Sequence, residues 1–202
     1  LEKKFKKFIS VLDVMKQLYD LAEHKTFKSY ATFQSDNSCF YDDNTIMIIL
    51  DRLNGVLSDT IINDMNNIAP MSIPYRIYLT MYLTRGLVRL HDDNFLHLDI
   101  KPENIFMKCP LQPVLGSFSY SKNYKEFTRS DNNQLIDLPD VHGTLEYLAL
   151  EAFERKYGKQ TDVFALGVTL FDLWNGIIDY AEYKTDNIID SKNKHYELIT
   201  TF

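Results

Sequence analysis

The stretch that decides the fold is residues 97–104, which read His97-Leu98-Asp99-Ile100-Lys101-Pro102-Glu103-Asn104. It holds three different functional groups on one short loop: a carboxylate at Asp99, an ammonium group at Lys101 and an amide at Asn104. A carboxylate can take the proton of a hydroxyl, an ammonium group can offset phosphate charge, and an amide oxygen can bind a metal ion. The loop is therefore the first candidate for a functional site.

A long helix is predicted immediately before this loop. Ser72 is a typical N-cap residue, Pro74 suits the first turn, and the helical pattern continues to about His91. One stripe at helical spacing consists of Ile77, Met81, Thr84, Val88 and His91. Because other faces of the helix are apolar too, we expect it to be buried on several sides.

The chain after the loop alternates between short strand signals and a second helix. Residues 105–107 predict a short strand, and residues 108–143 are expected to be loop-rich. A strongly apolar helix is predicted over about 161–174, and Asn175-Gly176 provides the signal for its end.

The region before the long helix reads as one helix, two strands and a short helix. Residues 1–23 have an apolar face at spacings of three and four, which predicts an amphipathic helix. Strand-like runs follow at 27–41 and 45–50, with 42–44 as the turn between them. A short helix is predicted over 58–66.

Composition excludes several classes of protein. The 202 residues are 45% hydrophobic, which is enough for one sizeable core, and the net charge of −6 argues against non-specific nucleic-acid binding. Two cysteines, Cys39 and Cys109, make neither a disulfide framework nor a four-cysteine zinc site. No apolar run approaches a membrane span. Leu1 is not an initiator methionine, so localisation stays open between a cytoplasmic default and a secreted parasite effector.

Four motifs in order give the chain a resemblance to the protein kinase superfamily, over about residues 5–200. The 97–104 loop resembles the pattern H-R-D-x-K-x-x-N, and Ser117-Phe118-Ser119, 13 residues after Asn104, stands where the family has D-F-G. Residues 141–151 resemble the end of an activation segment, with Ala149-Leu150-Glu151 in place of A-P-E. Residues 161–168 resemble the start of the αF helix.

The resemblance implies an α+β, two-lobe fold. Residues 1–53 would form part of the small β-rich lobe, with 1–23 as its αC helix and the later strand leading to the hinge. Residues 54–202 would form a mainly helical large lobe, truncated after the αF region.

The resemblance also implies roles for individual residues. Asp99 would be the catalytic base, Lys101 would contact the transferred phosphate, and Asn104 would bind a metal ion. The adenine of ATP would meet Leu50, Asp51, Leu53 and Phe106. The resemblance implies structural roles for His97, Phe118, Glu151 and Asp162. His97 would join a hydrophobic spine, with Phe118 as its neighbour. Asp162 would anchor the catalytic loop through backbone hydrogen bonds.

Departures from the family pattern weaken the case for activity. Leu98 replaces the arginine that reads a phosphorylated activation segment, so activity would not be switched on by that route. Ser117 replaces the carboxylate that holds Mg²⁺, and a hydroxyl brings no charge to a divalent ion. Leu150 replaces proline, and no glycine precedes Gly55 to form a phosphate-covering loop. The αC glutamate has no clear counterpart, since Glu2 and Asp13 both compete for it.

A rival alignment would restore the lost carboxylate. In it, residues 108–130 are an insertion and Asp137 is the metal ligand. Only 14 residues then separate Asp137 from Glu151, which is short for an activation segment. We therefore prefer Ser117 as the metal-site position.

Two functional hypotheses follow. The first is a pseudokinase that acts as a binding or allosteric scaffold with weak or metal-independent ATP binding, as Ser117 and Leu98 suggest. The alternative is a divergent Ser/Thr protein kinase, because Asp99, Lys101 and Asn104 are intact. Both imply a protein partner or substrate and ATP as cofactor, while Mg²⁺ is in doubt. A small-molecule phosphotransferase on the same fold is less favoured, because the 101–104 and 143–144 runs are typical of protein kinases.

Overall fold

The computed structural model describes residues 39–41, 46–48, 52–127, 135–177 and 193. Several sequence predictions lie outside these residues: the amphipathic helix at 1–23, most of the strand-like run at 27–41, the turn at 42–44, and the placement of Leu50 and Asp51 at the hinge.

The two predicted N-terminal strands are confirmed in the described part. Strand β1 (Cys39–Tyr41) pairs antiparallel with β2 (Ile46–Ile48), and Phe40 lies opposite Met47. β-Branched and aromatic residues favour such extended pairing.

Both helices expected before the loop form where the sequence places them. Helix α1 spans Leu57–Met65, and helix α2 spans Ile73–Asp92. Ser72 is the N-cap of α2, and its hydroxyl accepts a hydrogen bond from the backbone N–H of Tyr75 at 3.4 Å. Pro74 sits in the first turn, where its missing N–H costs nothing. Each observed boundary lies within one residue of the predicted one.

The region expected to be loop-rich contains more pairing than the sequence suggested. Strand β3 (Phe95–Leu96) pairs with β6 (Lys122–Asn123). Strand β4 (Ile105–Cys109) pairs with β5 (Gln112–Leu115). Strand β7 (Ile136–Asp137) pairs with β8 (Lys156–Tyr157). All three pairs are antiparallel. Residues 108–143 are loop-rich as predicted, but the sequence did not predict the strands β5, β6 and β7 that lie among these loops.

Helix α3 (Lys159–Asn175) closes the described fold. It ends at Gly176, whose φ of 93° is accessible to glycine but strained for other residues. The helix packs against α2 and against the short turn at 145–147. The predicted apolar helix and its terminating glycine are confirmed.

The buried face of α2 differs from the predicted stripe. Ile77, Met81 and Val88 are 47%, 50% and 54% exposed, and Thr84 is exposed too. The core takes the neighbouring face instead, through Leu79, Leu83, Leu87 and Leu90. Of the predicted stripe, His91 alone is buried, so the expectation that the helix is buried on several sides was wrong. Two apolar stripes with the same 3.6-residue period run along this helix, and the described residues of β5 and α3 cover only one of them. Periodicity alone cannot choose between such stripes.

Two apolar clusters stabilise the described part. The main core brings together the buried faces of α1, α2 and α3 with Ile105, Leu115 and Phe118. A second cluster joins the chain around the 97–104 loop to residues that follow that loop by 32 positions or more. We call it the loop cluster; its buried members are Leu96, Leu98, Ile136, Leu138, Leu148, Ala152 and Tyr157.

Arg76 connects all three helices. One of its guanidinium nitrogens contacts Asp64 of α1 at 2.5 Å, and the other donates to the backbone carbonyl of Leu173 in α3. Asp64 in turn accepts from the backbone N–H of Met71 at 2.5 Å.

Within the described ranges, no helix has the length and hydropathy that a membrane span requires.

Candidate active site

Asp162 is hydrogen-bonded to the start of the 97–104 loop. Its carboxylate accepts hydrogen bonds from the backbone N–H groups of His97 and Leu98, both at 2.8 Å, and it contacts the His91 ring nitrogen at 2.9 Å. The side chain is 1% exposed and lies in the first turn of α3, where the helix dipole favours an anion. These bonds fix the backbone at the start of the loop.

His97 is buried beneath the loop as a neutral side chain. Its Nε2 bonds to the Gly116 carbonyl at 2.8 Å, so this nitrogen carries the hydrogen, and Nδ1 accepts from the Asp99 N–H at 3.3 Å. Burial lowers the pKa of His97 below its usual value, because a charged imidazolium would lose its hydration there. The ring packs on Phe118, with ring centres 5.2 Å apart. The structure thus brings together the two residues expected to form the spine.

Two non-glycine residues at the site have left-handed backbone conformations. Leu98 has φ of 66° and Ser117 has φ of 61°. Such values are uncommon for residues with a β-carbon and cost free energy. At Leu98 the backbone hydrogen bond to Asp162 and the surrounding apolar contacts hold the backbone in place.

Asp99, Lys101 and Asn104 meet in one hydrogen-bond network. The Asn104 amide nitrogen donates to Asp99 Oδ2 at 2.7 Å and to the Asp99 carbonyl at 2.8 Å. Thr144 Oγ1 donates to Asp99 Oδ1 at 2.8 Å, and Lys101 Nζ donates to the same Thr144 oxygen at 2.8 Å. Both carboxylate oxygens therefore have fixed partners, and an ammonium group lies one hydroxyl away.

Thr144 is the residue that sequence reasoning missed. The run around Gly143-Thr144 was recognised as kinase-like, but neither residue was given a role at the site. The available signal was its position seven residues before Glu151, in the stretch that resembles the end of an activation segment. Its hydroxyl links the 97–104 loop to that stretch.

This arrangement defines what the site can do chemically. A substrate hydroxyl brought to Asp99 would meet a carboxylate able to take its proton. A phosphate brought beside Lys101 would meet a half-buried ammonium group able to offset its charge.

The donors at the metal-site positions do not fit a Mg²⁺ ion of the usual kind. The Gly116 N–H bonds to the Asn104 carbonyl at 3.0 Å, which places Ser117 next to Asn104. These two residues offer a neutral amide oxygen and a neutral hydroxyl, whereas Mg²⁺ in proteins is held by one or two carboxylates. Across the described residues, no three His, Cys, Asp or Glu side chains gather where they could hold a metal. No catalytic step is therefore assigned to a metal.

Asp137, the rival metal ligand, lies on β7. Its partner across the strand pair is Lys156 of β8, and its side chain is exposed. Ser117 follows Gly116, which bonds to both His97 and Asn104. This placement favours Ser117 as the counterpart of the family's metal-binding aspartate.

Two of the residues expected to meet adenine lie on paired segments. The backbone N–H of Asn54, next to Leu53, donates to the Met107 carbonyl at 2.8 Å, and the Met107 N–H donates to Gly55 at 2.9 Å. A further bridge pairs Val56 with Phe106. Leu53 and Phe106 are both half-buried.

Glu151 has a structural contact. Its carboxylate accepts from the Thr161 hydroxyl at 3.2 Å, and that hydroxyl also accepts from the Gly158 N–H at 3.1 Å. Glu151 therefore links the end of the 141–151 stretch to the start of α3.

A cavity of about 540 Å³ lies away from this network. Its walls come from residues 54–56, α1, the start of α2 and the turn between β4 and β5. None of Asp99, Lys101, Asn104 or Ser117 lines it. The cavity is thus separate from the side chains of Asp99, Lys101, Asn104 and Ser117.

Comparison with known proteins agrees with the geometry. The sequence model described as "Protein kinase domain" matches residues 11–201. Cysteine-rich receptor-like protein kinase 10 of Oryza sativa subsp. japonica is 27% identical over 136 residues, covering 65% of this chain and 20% of that protein. Leucine-rich repeat receptor-like protein kinase PEPR2 of Arabidopsis thaliana is 31% identical over 127 residues, covering 61% of this chain and 11% of that protein.

A third relative is Serine/threonine-protein kinase AtPK1/AtPK6 of Arabidopsis thaliana, which is 31% identical over 102 residues, covering 50% of this chain and 20% of that protein. The chain spans between 11% and 20% of the length of these three relatives. The family match covers most of the chain, and the residues it includes form the loop, the anchor and the network described above. The chain therefore belongs to the protein kinase family.

Proposed function

We propose that this chain is the kinase-like domain of a pseudokinase, which binds a protein partner and holds ATP weakly or without a metal ion. Residues 1–53 would belong to its small lobe and residues 54–202 to its large lobe. The observation that carries the proposal is Ser117, a neutral side chain at the position that normally supplies the Mg²⁺-binding carboxylate.

The assembled catalytic loop fits this proposal as a binding surface. Lys101 provides positive charge for the phosphates of a nucleotide in the absence of metal. Leu53 and Phe106 provide apolar surface for an adenine ring. Leu50 and Asp51 would complete the adenine site. Binding a nucleotide in this way would stabilise one arrangement of the domain, and that arrangement would be what the protein partner recognises.

The first experiment measures ATP binding to the full-length protein by calorimetry and thermal shift, with EDTA, with Mg²⁺ and with Mn²⁺. We expect weak binding that is the same with EDTA and with metal. Binding that requires Mg²⁺ or Mn²⁺ would contradict the proposal, because it would mean that a metal ligand is present. The absence of binding under all three conditions would remove ATP from the proposal and leave a protein-binding scaffold.

A divergent Ser/Thr protein kinase is the second candidate. The observation that favours it is the intact network of Asp99, Lys101 and Thr144, because phosphoryl transfer depends mainly on positioning and charge stabilisation. Its test is transfer of radiolabelled phosphate to a mixture of protein substrates, comparing the wild type with Asp99→Asn. Transfer that is lost in the variant would establish the second candidate and overturn the first.

A further inference from the structure

The cavity beside α1 is lined by parts of the chain that are far apart in sequence. Residues 54–56 form one wall, α1 and the turn at 69–71 form a second, and Tyr75 and the β4–β5 turn form a third. The volume of about 540 Å³ is typical of sites for small molecules. Leu53 and Phe106, which the proposed function assigns to adenine, do not line this cavity. It is therefore a candidate for a second binding site.

Hydrogen bonds within the chain fix two of these walls. Backbone bonds of 2.8 Å and 2.9 Å join Asn54 and Gly55 to Met107. The Tyr75 hydroxyl donates to the Pro110 carbonyl, which connects α2 to the β4–β5 turn. Because these polar groups are already paired with one another, a ligand would enter a preformed cavity at little cost in ordering.

Helix α1 presents different faces to the core and to the cavity. Leu57 and Ile61 are fully buried in the main core, whereas Asp59 and Asn63 line the cavity from successive turns. A β-carbon added to Gly55 would lie 3.8 Å from the Asp59 carboxylate. The missing side chain at Gly55 thus leaves this side of the carboxylate open.

Asp59 and Asn63 supply polar side chains that are available to a ligand. Within the described part of the chain, neither side chain has a hydrogen-bond or ion-pair partner, and Asp59 is the one charged residue in the lining. Apolar side chains make up much of the remaining wall, among them Val56, Met71 and Met107. The cavity therefore combines a single negative charge with an apolar surface.

We propose that this cavity binds an organic cation, with its ammonium group on the Asp59 carboxylate and the Asn63 amide oxygen and its apolar body against Met71 and Met107. An ammonium group brings three donors and a positive charge, which match a carboxylate and an amide oxygen. A phosphate group would meet like charge at Asp59, which disfavours nucleotides here. The inference goes beyond the proposed function, because it concerns a second site and holds whether or not the domain binds ATP.

Two probes of similar shape test the proposal on the full-length protein. Phenethylamine carries the ammonium group, and phenethyl alcohol carries a neutral hydroxyl in its place. Ligand-observed NMR titrations measure both dissociation constants. We expect about 1 mM for the amine and about fivefold weaker binding for the alcohol. Equal affinities of the two probes, or no binding of the amine, would overturn the proposal.

A pair of variants tests the role of the carboxylate. Asp59→Asn should weaken phenethylamine binding about fivefold and leave the affinity for the alcohol unchanged. Asp92→Asn makes the same change of charge on an exposed side chain at the far end of α2, and we expect it to keep the wild-type affinities. Equal losses in the two variants would overturn the proposal, because they would show a response to net charge and not to Asp59.

Cys109 reports whether the amine occupies this cavity. It is an exposed free cysteine and one of the lining residues. Phenethylamine at about ten times its dissociation constant should slow alkylation of Cys109 by iodoacetamide about fivefold, as measured by mass spectrometry of the Cys109 peptide. The same concentration should have little effect in Asp59→Asn. Unchanged alkylation of the wild type at this concentration would overturn the placement of the cation in this cavity.

The cation has two possible sources, a free amine or a lysine side chain of a protein partner. The blocked tripeptide acetyl-leucyl-lysyl-leucine amide is the probe for the second source. Tighter binding of the tripeptide than of phenethylamine, with a loss in Asp59→Asn, would assign the site to a partner's lysine. Tighter binding of phenethylamine, with the same loss, would assign it to a free amine. Binding of both probes that is unchanged in Asp59→Asn would overturn the proposal.

Discussion

Thr144 and Asp99 lie 45 positions apart in the chain, yet the Thr144 hydroxyl donates a hydrogen bond of 2.8 Å to the Asp99 carboxylate. Lys101 donates to the same hydroxyl at 2.8 Å. A single hydroxyl group thus connects the Asp99 carboxylate to the Lys101 ammonium group and links both to the chain around Thr144. The relationship makes Thr144 as much a part of the site as the residues recognised from the sequence.

Replacing Thr144 by valine should destabilise the protein by about 1 to 2 kcal/mol, because the carboxylate and the ammonium group lose a shared partner in a half-buried place. Thr144→Ser keeps the hydroxyl and is the matched control, with a smaller loss. Urea unfolding measures both variants. Equal stability of the valine and serine variants would contradict the role of the hydroxyl.

Asp162→Asn should be far more costly, at about 3 to 5 kcal/mol, because a buried carboxylate that accepts from two backbone N–H groups would become a group with its own N–H donors. Asp140→Asn changes an exposed side chain and should stay within about 0.5 kcal/mol of the wild type. Thermal and urea unfolding compare the two. A small effect at Asp162 would mean that the loop has another anchor.

Arg76 and Arg89 lie on the same helix and make a matched pair. Arg76→Ala should cost about 3 kcal/mol, because it leaves Asp64 without its ion pair and the Leu173 carbonyl without its donor at a mostly buried site. Arg89→Ala breaks a more exposed pair with Asp93 and should cost about 0.5 kcal/mol or less. The difference in unfolding free energy is the measured quantity, and similar losses would contradict the prediction.

Acid should weaken the fold through His97. Its pKa is lowered by burial, so the unfolded chain binds the proton more readily than the folded one. The stabilising contribution is present above the usual histidine pKa of about 6.5 and is lost as the pH falls through the lower folded-state pKa. Urea unfolding of the wild type and of His97→Gln, from about pH 7.5 to about pH 5, measures the contribution of His97 to the free energy of unfolding. Their stability difference should shrink in acid, and a constant difference would refute the assignment.

Restoring a carboxylate at Ser117 should create metal dependence. With Ser117→Asp we expect ATP to bind about tenfold more tightly with Mg²⁺ than with EDTA, because the ion gains an anionic ligand beside Asn104. Ser119→Asp adds the same charge two residues away on an exposed side chain and is the control. Calorimetry provides the affinities. Identical metal responses in the two variants would show that charge alone, and not the ligand position, is responsible.

Local signals explain which parts of the fold could be predicted from the sequence. Ser72 and Gly176 act within a few residues of themselves, so the ends of α2 and α3 were readable. The exposed face of α2 could not be predicted, because two apolar stripes share one period and only tertiary packing selects between them. Strands β7 and β8 are two residues long and pair across 19 to 21 positions, which leaves no local pattern.

The candidate site also contains residues that could be predicted from the sequence and one that could not. Asp99, Lys101 and Asn104 are neighbours in sequence, so their grouping was visible from the spacing. Thr144 joins them through a contact that exists only after folding. Ser117 was placed by its distance from Asn104 in the chain, and its assignment to the metal-site position stays a prediction.

The anchoring of the loop by Asp162 has a consequence for synthesis on the ribosome. Leu98 leaves the ribosome 64 residues before Asp162, which supplies its backbone acceptor. At about 5 to 20 residues per second, the loop therefore waits roughly 3 to 13 s without its anchor. Throughout that interval the uncapped N–H groups and the apolar Leu98 are available to a chaperone, and the nascent domain cannot present a finished site until α3 has been made.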